Sequence, residues 1–528
     1  MRRHIETFQL ADMSTSRKAG TCPCPLPTFL HTGLVLNVRW VQAGRMVFET
    51  PSESSSMRWA SHEFATLNCG DVRRHRRFVR VASDFIQHPG ASIPDASAGW
   101  AGSKACYRLF DHKDIRCEAV LAAHRDAVLG RLVAEQTESA LLVVQDTTSL
   151  NFGPRSCVEG FGPIGNGSVS NAPGLYVHGQ LVVGGDGRVH GLAGAAIYAR
   201  TEQRKGQSAG TRNRQPIEEK ESMRWLKGWQ EAQRLWKDLG GKRQVLSVAD
   251  REGDIYELLA ACLTERKLDG ASAGLLIRSQ HDRELESGGG RMWQDDEALT
   301  LRATLEVDLP RGKQGLKARK ATLSVRAGRV RLAVPAHKRK YLGLEESLEL
   351  WALEVKEINP PEGVEAVCWR LVTTEPIDGV EDARRLTAWY ALRWRIELLH
   401  RVLKSGCKVE NRQIHDVEKL KAFIALDLVI ASHLLSLAWQ ARVSPESSSE
   451  PWLERPEWEA LCVHAAKGGP PPSIAPTIGK AVIMIARLGG FLARKGDGDP
   501  GAEVLWRGLS KLRMLTQAWL IFRSGNCG

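Results

Sequence analysis

The chain contains 528 residues, of which 43% are hydrophobic, so it is long enough for two to four domains with apolar cores. Its formal net charge of +12 indicates a polyanionic partner. Among the eleven cysteines only Cys22 and Cys24 lie close together, without a matching set of histidines or cysteines. This spacing argues against a disulfide framework or a zinc site and indicates reduced thiols in a cytosolic protein.

Residues 1–56 are predicted to be a disordered extension. Residues 1–50 contain no sustained hydrophobic period, and no charged segment leads into an apolar stretch with a cleavage site, so they do not resemble a secretory signal. The serine-rich stretch over 51–57 is typical of a linker.

Two basic helical segments define a first unit, residues 57–125. In the first segment Asp71 stands near a helix start, and it is followed by Arg73, Arg74, Arg76, Arg77 and Arg80. The second segment carries Lys104, Tyr107 and Arg108. Basic helices that follow glycine-containing turns suit contacts with DNA phosphates and grooves. An ordinary exposed basic helix explains the same pattern equally well.

An α/β pattern follows over residues 126–280. ALLVVQDTTSL (140–150) is typical of a buried strand ending in Asp146, and residues 244–263 of a strand, then Asp250, then a helix. Open α/β sheets present functional groups at the carboxyl ends of such strands. Each aspartate taken alone is more often a cap or turn residue. The same region predicts a hairpin over 175–200 turning at 185–187, a helix over 221–239 and a strand over 273–280.

Residues 281–365 interrupt this pattern with period-two alternation, which predicts an inserted antiparallel unit. Residues 311–340 within it contain eleven lysines or arginines and no acid. Solvated strand edges also favour cations, but the absence of acids favours a surface for nucleic acid. The α/β pattern resumes over residues 366–445.

The stretch from Tyr390 to Lys404 contains no proline or glycine and predicts one helix. At about 100° per residue, Tyr390, Arg393, Glu397, Arg401 and Lys404 fall within an arc of about 80°. A carboxylate flanked by cations suits a metal site that handles phosphate. A solvated face with salt bridges is the alternative, and it describes most charged helical faces. Together with Asp146 and Asp250, Glu397 makes a three-carboxylate metal cluster attractive.

Residues 419–443 are strongly apolar but carry Asp427 and His433, and this favours a buried helix over one that spans a membrane. A linker rich in proline, serine and glycine is predicted over 444–475, followed by two helices over 476–523.

Taken together, these motifs resemble the DDE transposases of the insertion-sequence-four family, specifically the transposon-five type. The family signature is Tyr, two residues, Arg, three residues, Glu, six residues and Lys, and it is met by Tyr390, Arg393, Glu397 and Lys404. DTTSL at Asp146 and ADREGDIYELL at Asp250 resemble the first and second catalytic segments. WRLVTTEP, RSQH, WASHEF with GDVRRHRR, and IARLGGF resemble four further family segments, and the match covers roughly residues 57–523.

The resemblance implies an α/β fold with a ribonuclease-H-like catalytic core over 126–280 and 366–445. An inserted antiparallel β-rich basic subdomain would occupy 281–365. A helical domain that binds DNA ends would span 57–125, and a helical association domain would span 446–528.

It also implies roles for single residues. Asp146, Asp250 and Glu397 would be catalytic and hold two Mg²⁺ ions, with Mn²⁺ as a substitute. Trp369 would stack on a flipped base, and the remaining DNA contacts would come from Tyr390, Arg393, Arg401, Lys404, Arg278, Arg73, Arg74, Arg76, Arg77 and Lys104. Tyr256 stands where the relative has histidine, which leaves a local DNA or metal contact in question.

The activity implied is cut-and-paste transposition through nicking, hairpin formation, hairpin opening and strand transfer. The partners implied are double-stranded DNA, as transposon ends and target, and a second copy of the chain in a synaptic dimer. No membrane is expected, and the protein would act on DNA in the bacterial cytoplasm. Two alternatives stay open: another ribonuclease-H-like nuclease for branched nucleic acid, and an inactive relic that still binds DNA.

Overall fold

The computed structural model describes residues 54–525, except for 98, 136, 154–158, 166–171, 201–214, 287, 289, 296, 310–318, 337, 340–346 and 495–496. The predicted extension lies outside the described residues up to residue 53. Ser55 and Ser56, the last residues of the predicted extension, belong to the first helix, which begins at Ser55. The Ser54 side chain caps this helix by accepting the backbone N–H of Met57 at 3.2 Å.

Helices form the N-terminal unit: α1 (Ser55–Glu63), α2 (Val72–Gln87), α3 (Ile93–Ala96), α4 (Gly99–Phe110) and α5 (Cys117–Ala134). Asp71 caps α2 through its carboxylate, as expected for an acidic residue at a helix start. The core of this unit is aromatic: the rings of Phe64 and Phe78 are 5.0 Å apart, and Phe110 stacks at 3.7 Å on Phe423 of a later helix. The unit is therefore packed directly on the rest of the chain.

The described strands form one ten-stranded sheet: β1 (Leu141–Asn151), β2 (Gly162–Pro163), β3 (Pro173–Gly184), β4 (Val189–Tyr198), β5 (Val245–Ala249), β6 (Gly274–Arg278), β7 (Leu301–Leu309), β8 (Arg319–Ala333), β9 (Ser347–Glu357) and β10 (Cys368–Thr373). The strand order is β2-β3-β1-β5-β6-β10-β9-β8-β7, with β4 beside β3. β1, β5 and β6 pair in parallel at its centre, and antiparallel strands flank them on both sides. A mixed α/β core is therefore observed, and the predicted hairpin between β3 and β4 is confirmed.

Both faces of the central strands are covered by helices: α6 (Met223–Asp238), α7 (Tyr256–Asp269), α8 (Val380–Ala391), α9 (Trp394–Arg401) and α10 (Val417–Val443). Leu142 and Val144 belong to the apolar cluster that contains α8, α9 and α10. Leu141 and Val143 alternate with them and pack with α6 on the other face. Burial on both faces explains why these strands are continuous apolar runs in the sequence.

The predicted insertion is not a separate sheet. β7, β8 and β9 are antiparallel as predicted, but β9 pairs with β10 and β10 pairs with β6, so these strands extend the central sheet. Of the basic run, Arg311, Lys313, Lys317 and Lys340 lie outside the described residues.

In the folded chain, acidic residues from other segments lie next to the cations of this basic run. Five of its cations form ion pairs: Arg319 with Glu357, Arg326 with Glu354, Arg329 with Glu349, Arg331 with Glu286, and Lys338 with Glu257. The antiparallel register of β8 and β9 places glutamates opposite or diagonal to the arginines. The premise that no acid accompanies these five cations was therefore wrong, and the contact of the basic run with nucleic acid stays a prediction.

The single helix predicted over 390–404 is broken twice. α8 ends at Ala391, Leu392 and Arg393 form a turn, and α9 passes at Val402 into a π-helical turn that ends at Gly406. Most side chains of this segment are buried, so its backbone follows the tertiary packing rather than the regular 3.6-residue period.

The C-terminal region contains a helix that the sequence did not predict. The supposed linker over 444–475 holds α11 (Arg455–Ala465), which has a capping box and buries Trp458 and Leu461. It packs with the two predicted helices, α12 (Ile478–Leu488) and α13 (Ala502–Gly525). α10 is long and apolar enough to cross a membrane, but 83% of its most apolar window is buried inside the protein. The predicted buried helix is thus confirmed.

Candidate active site

Two aspartates lie side by side at the carboxyl end of the parallel strands. The pairing of β1 with β5 ends where Val144 is opposite Val248, and Asp146 and Asp250 each follow two residues later. Adjacent strands are about 4.8 Å apart, and positions two residues on share a face. β1 does not end at Asp146, however, because it continues to Asn151 through its antiparallel pairing with β3. Only the parallel pairing ends before the aspartate.

A buried arginine joins Asp146 to the third predicted carboxylate. Arg393 Nη1 lies 3.4 Å from Asp146 Oδ2, and Arg393 Nη2 lies 2.7 Å from Glu397 Oε1. The guanidinium side chain is 7% exposed, whereas Glu397 is 40% exposed. α9 holds Glu397 over the sheet because Ile396 packs against Gly179, which is opposite Asp146 on β3. The i, i+4 spacing of Arg393 and Glu397 survives the break in the helix.

The carboxylates influence one another electrostatically. Burial raises the pKa of Asp146 to about 7, although the Arg393 guanidinium acts to lower it. The carboxylates of Asp250 and Glu397 each raise it further, while the backbone N–H of Thr147 lowers it. The charges of Asp250 and Glu397 therefore oppose the ionisation of Asp146, and the charge of Arg393 favours it.

The chemistry of this set fits a hard divalent cation, since carboxylate oxygens are the ligands that Mg²⁺ prefers. Burial, followed by the charges of Asp250 and Glu397, raises the pKa of Asp146, and a bound cation would favour its ionised form. In the described part of the chain no three His, Cys, Asp or Glu side chains already converge at ligand distance. Asp250 is engaged locally, because its carboxylate accepts the N–H of Glu252 at 2.9 Å and caps a short 3₁₀ turn. The cap role weighed for this residue is therefore present.

Tyr390 and Arg278 lie beside Arg393. Tyr390 is 2% exposed, and burial raises its pKa, while the charges of Arg393 and Arg278 lower it. Arg278 is the last residue of β6 and donates through Nη2 to the carbonyl of Cys368 at 3.2 Å. Burial and the neighbouring charge of Arg393 both act to lower the pKa of Arg278, so these cations are held close together.

Trp369 is buried rather than presented at the surface. It lies on β10, is 1% exposed, and its ring is 5.6 Å from the ring of Tyr390 in an edge-to-face arrangement. In this conformation the indole has no free face for a base. The burial follows from its position in the centre of a sheet covered by α8.

The remaining predicted residues follow Glu397 along the chain or lie in the N-terminal unit. Lys404 is in the π-helical turn after α9, where burial lowers its pKa, and Arg401 is exposed at the end of α9. The other predicted DNA contacts are in the N-terminal unit, on α2 (Arg73, Arg74, Arg76 and Arg77) and on α4 (Lys104). Arg74 points inwards to His112, whereas Arg73, Arg76, Arg77 and Lys104 are exposed.

One residue that supports the site was not singled out from the sequence. Asp254 lies at the other end of the 3₁₀ turn that begins after Asp250, and its carboxylate is fully buried. Its carboxylate accepts a hydrogen bond from Arg283 Nη1 at 2.6 Å and further hydrogen bonds from the backbone N–H groups of Gln280 and His281. The turn bearing Asp250 is thereby tied to the loop after β6. Two acids four residues apart, followed by an arginine, are too common in sequences to reveal such a pair.

Tyr256, the residue noted where the relative has histidine, has a structural environment. Its hydroxyl donates to the carbonyl of Ala333 at 3.0 Å, and the guanidinium of Arg283 lies 4.6 Å above its ring. It therefore fastens α7 to β8.

Three family models match this chain. The model described as transposase DNA-binding matches residues 56–115, and the transposase DDE domain matches 212–432. The transposase Tn5 dimerisation domain matches 429–525. The DDE match contains Asp250 and Glu397, and the three matches together cover most of the chain. The chain therefore belongs to the DDE transposases of the Tn5/IS4 type, metal-dependent enzymes that bind DNA, form dimers and cleave DNA.

Proposed function

We propose that this transposase catalyses cut-and-paste transposition: it binds the repeats at transposon ends, nicks the DNA, forms and opens a hairpin, and transfers the strand into target DNA. The observation that carries the proposal is the buried Arg393 bridge between Asp146 and Glu397, next to Asp250 at the end of the adjacent strand. Clustered carboxylates with a nearby cation suit phosphoryl transfer, in which negative charge develops on phosphate oxygens.

Asp146, Asp250 and Glu397 would hold divalent ions, Mg²⁺ with Mn²⁺ as a substitute. Such ions activate the attacking oxygen and stabilise the leaving oxygen. The protein supplies orientation: β1 and β5 present the two aspartates, and Arg393 holds Glu397 at 2.7 Å. Asp254 keeps the turn that bears Asp250 in place.

Arg393 has a donor left for a phosphate oxygen. Its Nε is buried and has no hydrogen-bond partner among the described residues. An anionic oxygen would satisfy this donor, because charge-assisted bonds to guanidinium are strong. Arg278 and Tyr390 at its side, and Arg401 and Lys404 along the same segment, would orient the DNA strand near the carboxylates.

Base stacking by Trp369 belongs to the same proposal and requires a rearrangement. A hairpin strains the duplex and favours a base that leaves the stack. The ring of Trp369 must be uncovered before it can receive this base, since it is 1% exposed. Movement of Tyr390, whose ring lies 5.6 Å away, would open one edge of the indole.

The proposed function is tested by incubating the protein with Mg²⁺ and labelled DNA that carries the inverted repeats flanking its gene. Nicked, hairpin and strand-transfer products are expected in that order. A different ribonuclease-H-like nuclease would cut branched DNA or RNA hybrids without preference for these ends. An inactive relic would bind the ends and yield no product.

The assembly proposed is a synaptic dimer in which each subunit cuts the end held mainly by its partner. The dimerisation match over 429–525 supports it.

The domain boundaries proposed for the chain remain 57–125, 126–280, 281–365, 366–445 and 446–528. We also propose that the protein acts in the bacterial cytoplasm. We propose further that it is close to the transposase of transposon five.

Neutralising paired cations in the basic run should have little effect on DNA binding. Replacing Arg326, Arg329 and Arg331 with Gln is expected to change the slope of log affinity against log salt by much less than about 0.9 per residue, the value for one lost phosphate contact. The reason is that glutamates already compensate these charges. Filter binding at several salt concentrations measures the slope.

The matched control replaces three exposed arginines of α2, Arg73, Arg76 and Arg77, with Gln. This change should flatten the slope by about 0.9 for each phosphate contact that is lost. If both sets of three changes flatten the slope equally, the basic run contacts DNA after all.

Metal affinity should increase with pH up to about 7 and then level off. The pKa of Asp146 is raised to about 7, so below that pH the acid is protonated and cannot bind a cation. The Mg²⁺ concentration that gives half-maximal cleavage should therefore fall about tenfold per pH unit between pH 5.5 and 7. Calorimetric titration with Mn²⁺ gives the same comparison without relying on cleavage.

Thermal unfolding without metal tests the direction of the Asp146 pKa shift. Because the folded-state pKa of Asp146 is raised, its contribution to stability is greatest at low pH and is lost as pH rises through about 7. Asp146→Asn should remove this pH dependence of the melting temperature. A half-maximal Mg²⁺ concentration that is the same at pH 5.5 and 7 would exclude Asp146 as the titrating ligand.

A further inference from the structure

The outward face of α4 combines aromatic and basic side chains. Trp100, Lys104, Tyr107 and Arg108 are exposed, at a spacing of four, seven and eight residues from the first, and so lie along one side of the helix. The opposite side packs inwards through Ser103, Cys106, Leu109 and Phe110. The helix is thus firmly seated, and its aromatic face is free.

Trp100 is the unusual member of this face. It is 81% exposed, and no other large hydrophobic side chain in the described part of the chain is more exposed. Tyr107, about two helical turns further along the same face, is 42% exposed. An exposed aromatic pair on a helix that is well packed on its other side indicates a surface that is covered when a partner binds.

The neighbouring helix α2 presents a different surface. Its exposed positions are Val72, Arg73, Arg76, Arg77 and Arg80, without an aromatic residue. α2 and α4 pack together through Phe78 and Phe110, whose rings are 6.1 Å apart. The charge of Arg77 acts to lower the pKa of the buried Cys106 thiol, so Arg77 lies near the inward side of α4.

This division of side chains matches the two kinds of protein–DNA contact. Arginines alone suit phosphates, which position the protein but carry no sequence information. Apolar and aromatic side chains reach bases and insert between base steps, and nearby cations hold the backbone. The match of residues 56–115 to a transposase DNA-binding domain identifies DNA as the occupant.

We propose that α4 is the base-contacting helix of the DNA-binding domain, that Trp100 makes the apolar contact with the bases, and that α2 grips the phosphates. The proposal rests on the DNA-binding function and is independent of the cleavage chemistry. Trp100, supported by Lys104 and Tyr107, thereby determines which DNA sequence is bound. It favours sequences that contain a base-pair step that is easily unstacked.

The test selects preferred duplexes from a random pool of 20 base pairs with the wild-type protein. It then compares the affinity for the selected duplex with that for a scrambled one. Trp100→Ala should weaken the selected duplex about ten- to a hundredfold, the range measured for loss of one base–aromatic stack. Affinity for the scrambled duplex and the salt slope should not change. Trp100→Phe should restore most of the preference.

Arg76→Gln is the control on α2. It should weaken both duplexes alike and flatten the salt slope by about 0.9. The melting temperature should be unchanged in each variant, because Trp100 and Arg76 are exposed. A 2-aminopurine placed at the preferred step should brighten on binding wild-type protein and stay dim with Trp100→Ala.

Three results would overturn the proposal. Equal loss for both duplexes would make Trp100 a nonspecific contact, and no loss would remove it from the interface. If Trp100→Ala instead alters the sedimentation of the protein without DNA, this face binds a second copy. In each case the effect of Arg76→Gln shows separately whether DNA binding by this domain stands.

Discussion

Replacing Asp146, Asp250 or Glu397 with Ala is expected to reduce Mg²⁺-dependent cleavage at least a thousandfold while binding of end DNA stays within about threefold. Each variant removes one carboxylate from a set in which Arg393 bridges Asp146 and Glu397. Loss of a metal ligand removes both nucleophile activation and leaving-group stabilisation, and 1.36 kcal/mol of transition-state energy is already tenfold in rate. DNA binding is expected to survive because the match to a transposase DNA-binding domain lies in the N-terminal helices.

The experiment is a time course of nicking on labelled end DNA, with gel-shift affinity measured on the same preparations. Glu252→Ala is the matched control, since Glu252 is a carboxylate two residues after Asp250 that is 47% exposed and paired with Arg224. It should cleave at nearly the wild-type rate. Thermal unfolding of each variant shows whether loss of the carboxylate beside the buried Arg393 affects folding. Substantial cleavage by any of the three variants would remove that residue from the catalytic set.

Trp369→Ala is expected to lower the free energy of unfolding by about 3–5 kcal/mol, the range for truncating a buried aromatic side chain. The indole is 1% exposed and lies in the main apolar cluster. Hairpin formation should also slow about ten- to a hundredfold if the ring receives a base, while the first nick stays nearly normal. Chemical denaturation and a time course that resolves nicked from hairpin product measure the two effects.

The stability loss would obscure the second effect, so Trp369→Phe and Tyr390→Phe accompany it. Trp369→Phe keeps an aromatic ring in the core and should restore most of the stability, yet it offers a smaller stacking surface. A selective delay of the hairpin in Trp369→Phe supports stacking. If nicking and hairpin formation are slowed equally in proportion to instability, Trp369 is a core residue only. Tyr390→Phe keeps the neighbouring ring and shows whether the edge-to-face contact alone matters.

The sequence alone was sufficient for the elements whose pattern is local. The continuous apolar runs of β1, β5 and β6 could be read directly because both faces of these strands are buried. The signature from Tyr390 to Lys404 identified the family, since its spacing is specific. The length of α10 and its two polar interruptions correctly indicated a buried helix.

Helical regularity and linker composition misled where packing decides. The segment over 390–404 has good helix propensity throughout, but tertiary packing breaks it into α9 and two irregular turns. The stretch over 444–475 is rich in helix breakers, yet α11 forms within it because Trp458 and Leu461 find an apolar partner surface.

Only the tertiary structure decided which charged side chains form ion pairs. Asp146 and Arg393 are 247 residues apart, and nothing local in either segment states that they touch. The basic run looks free of acids along the chain, but the register of β8 and β9 brings Glu354 against Arg326. The family resemblance predicts that Trp369 stacks on a base, and only the structure shows that its ring is 1% exposed. Strand and helix periods are set by neighbours along the backbone, whereas charge compensation and burial depend on pairing between distant elements, which the sequence encodes only through the complete fold.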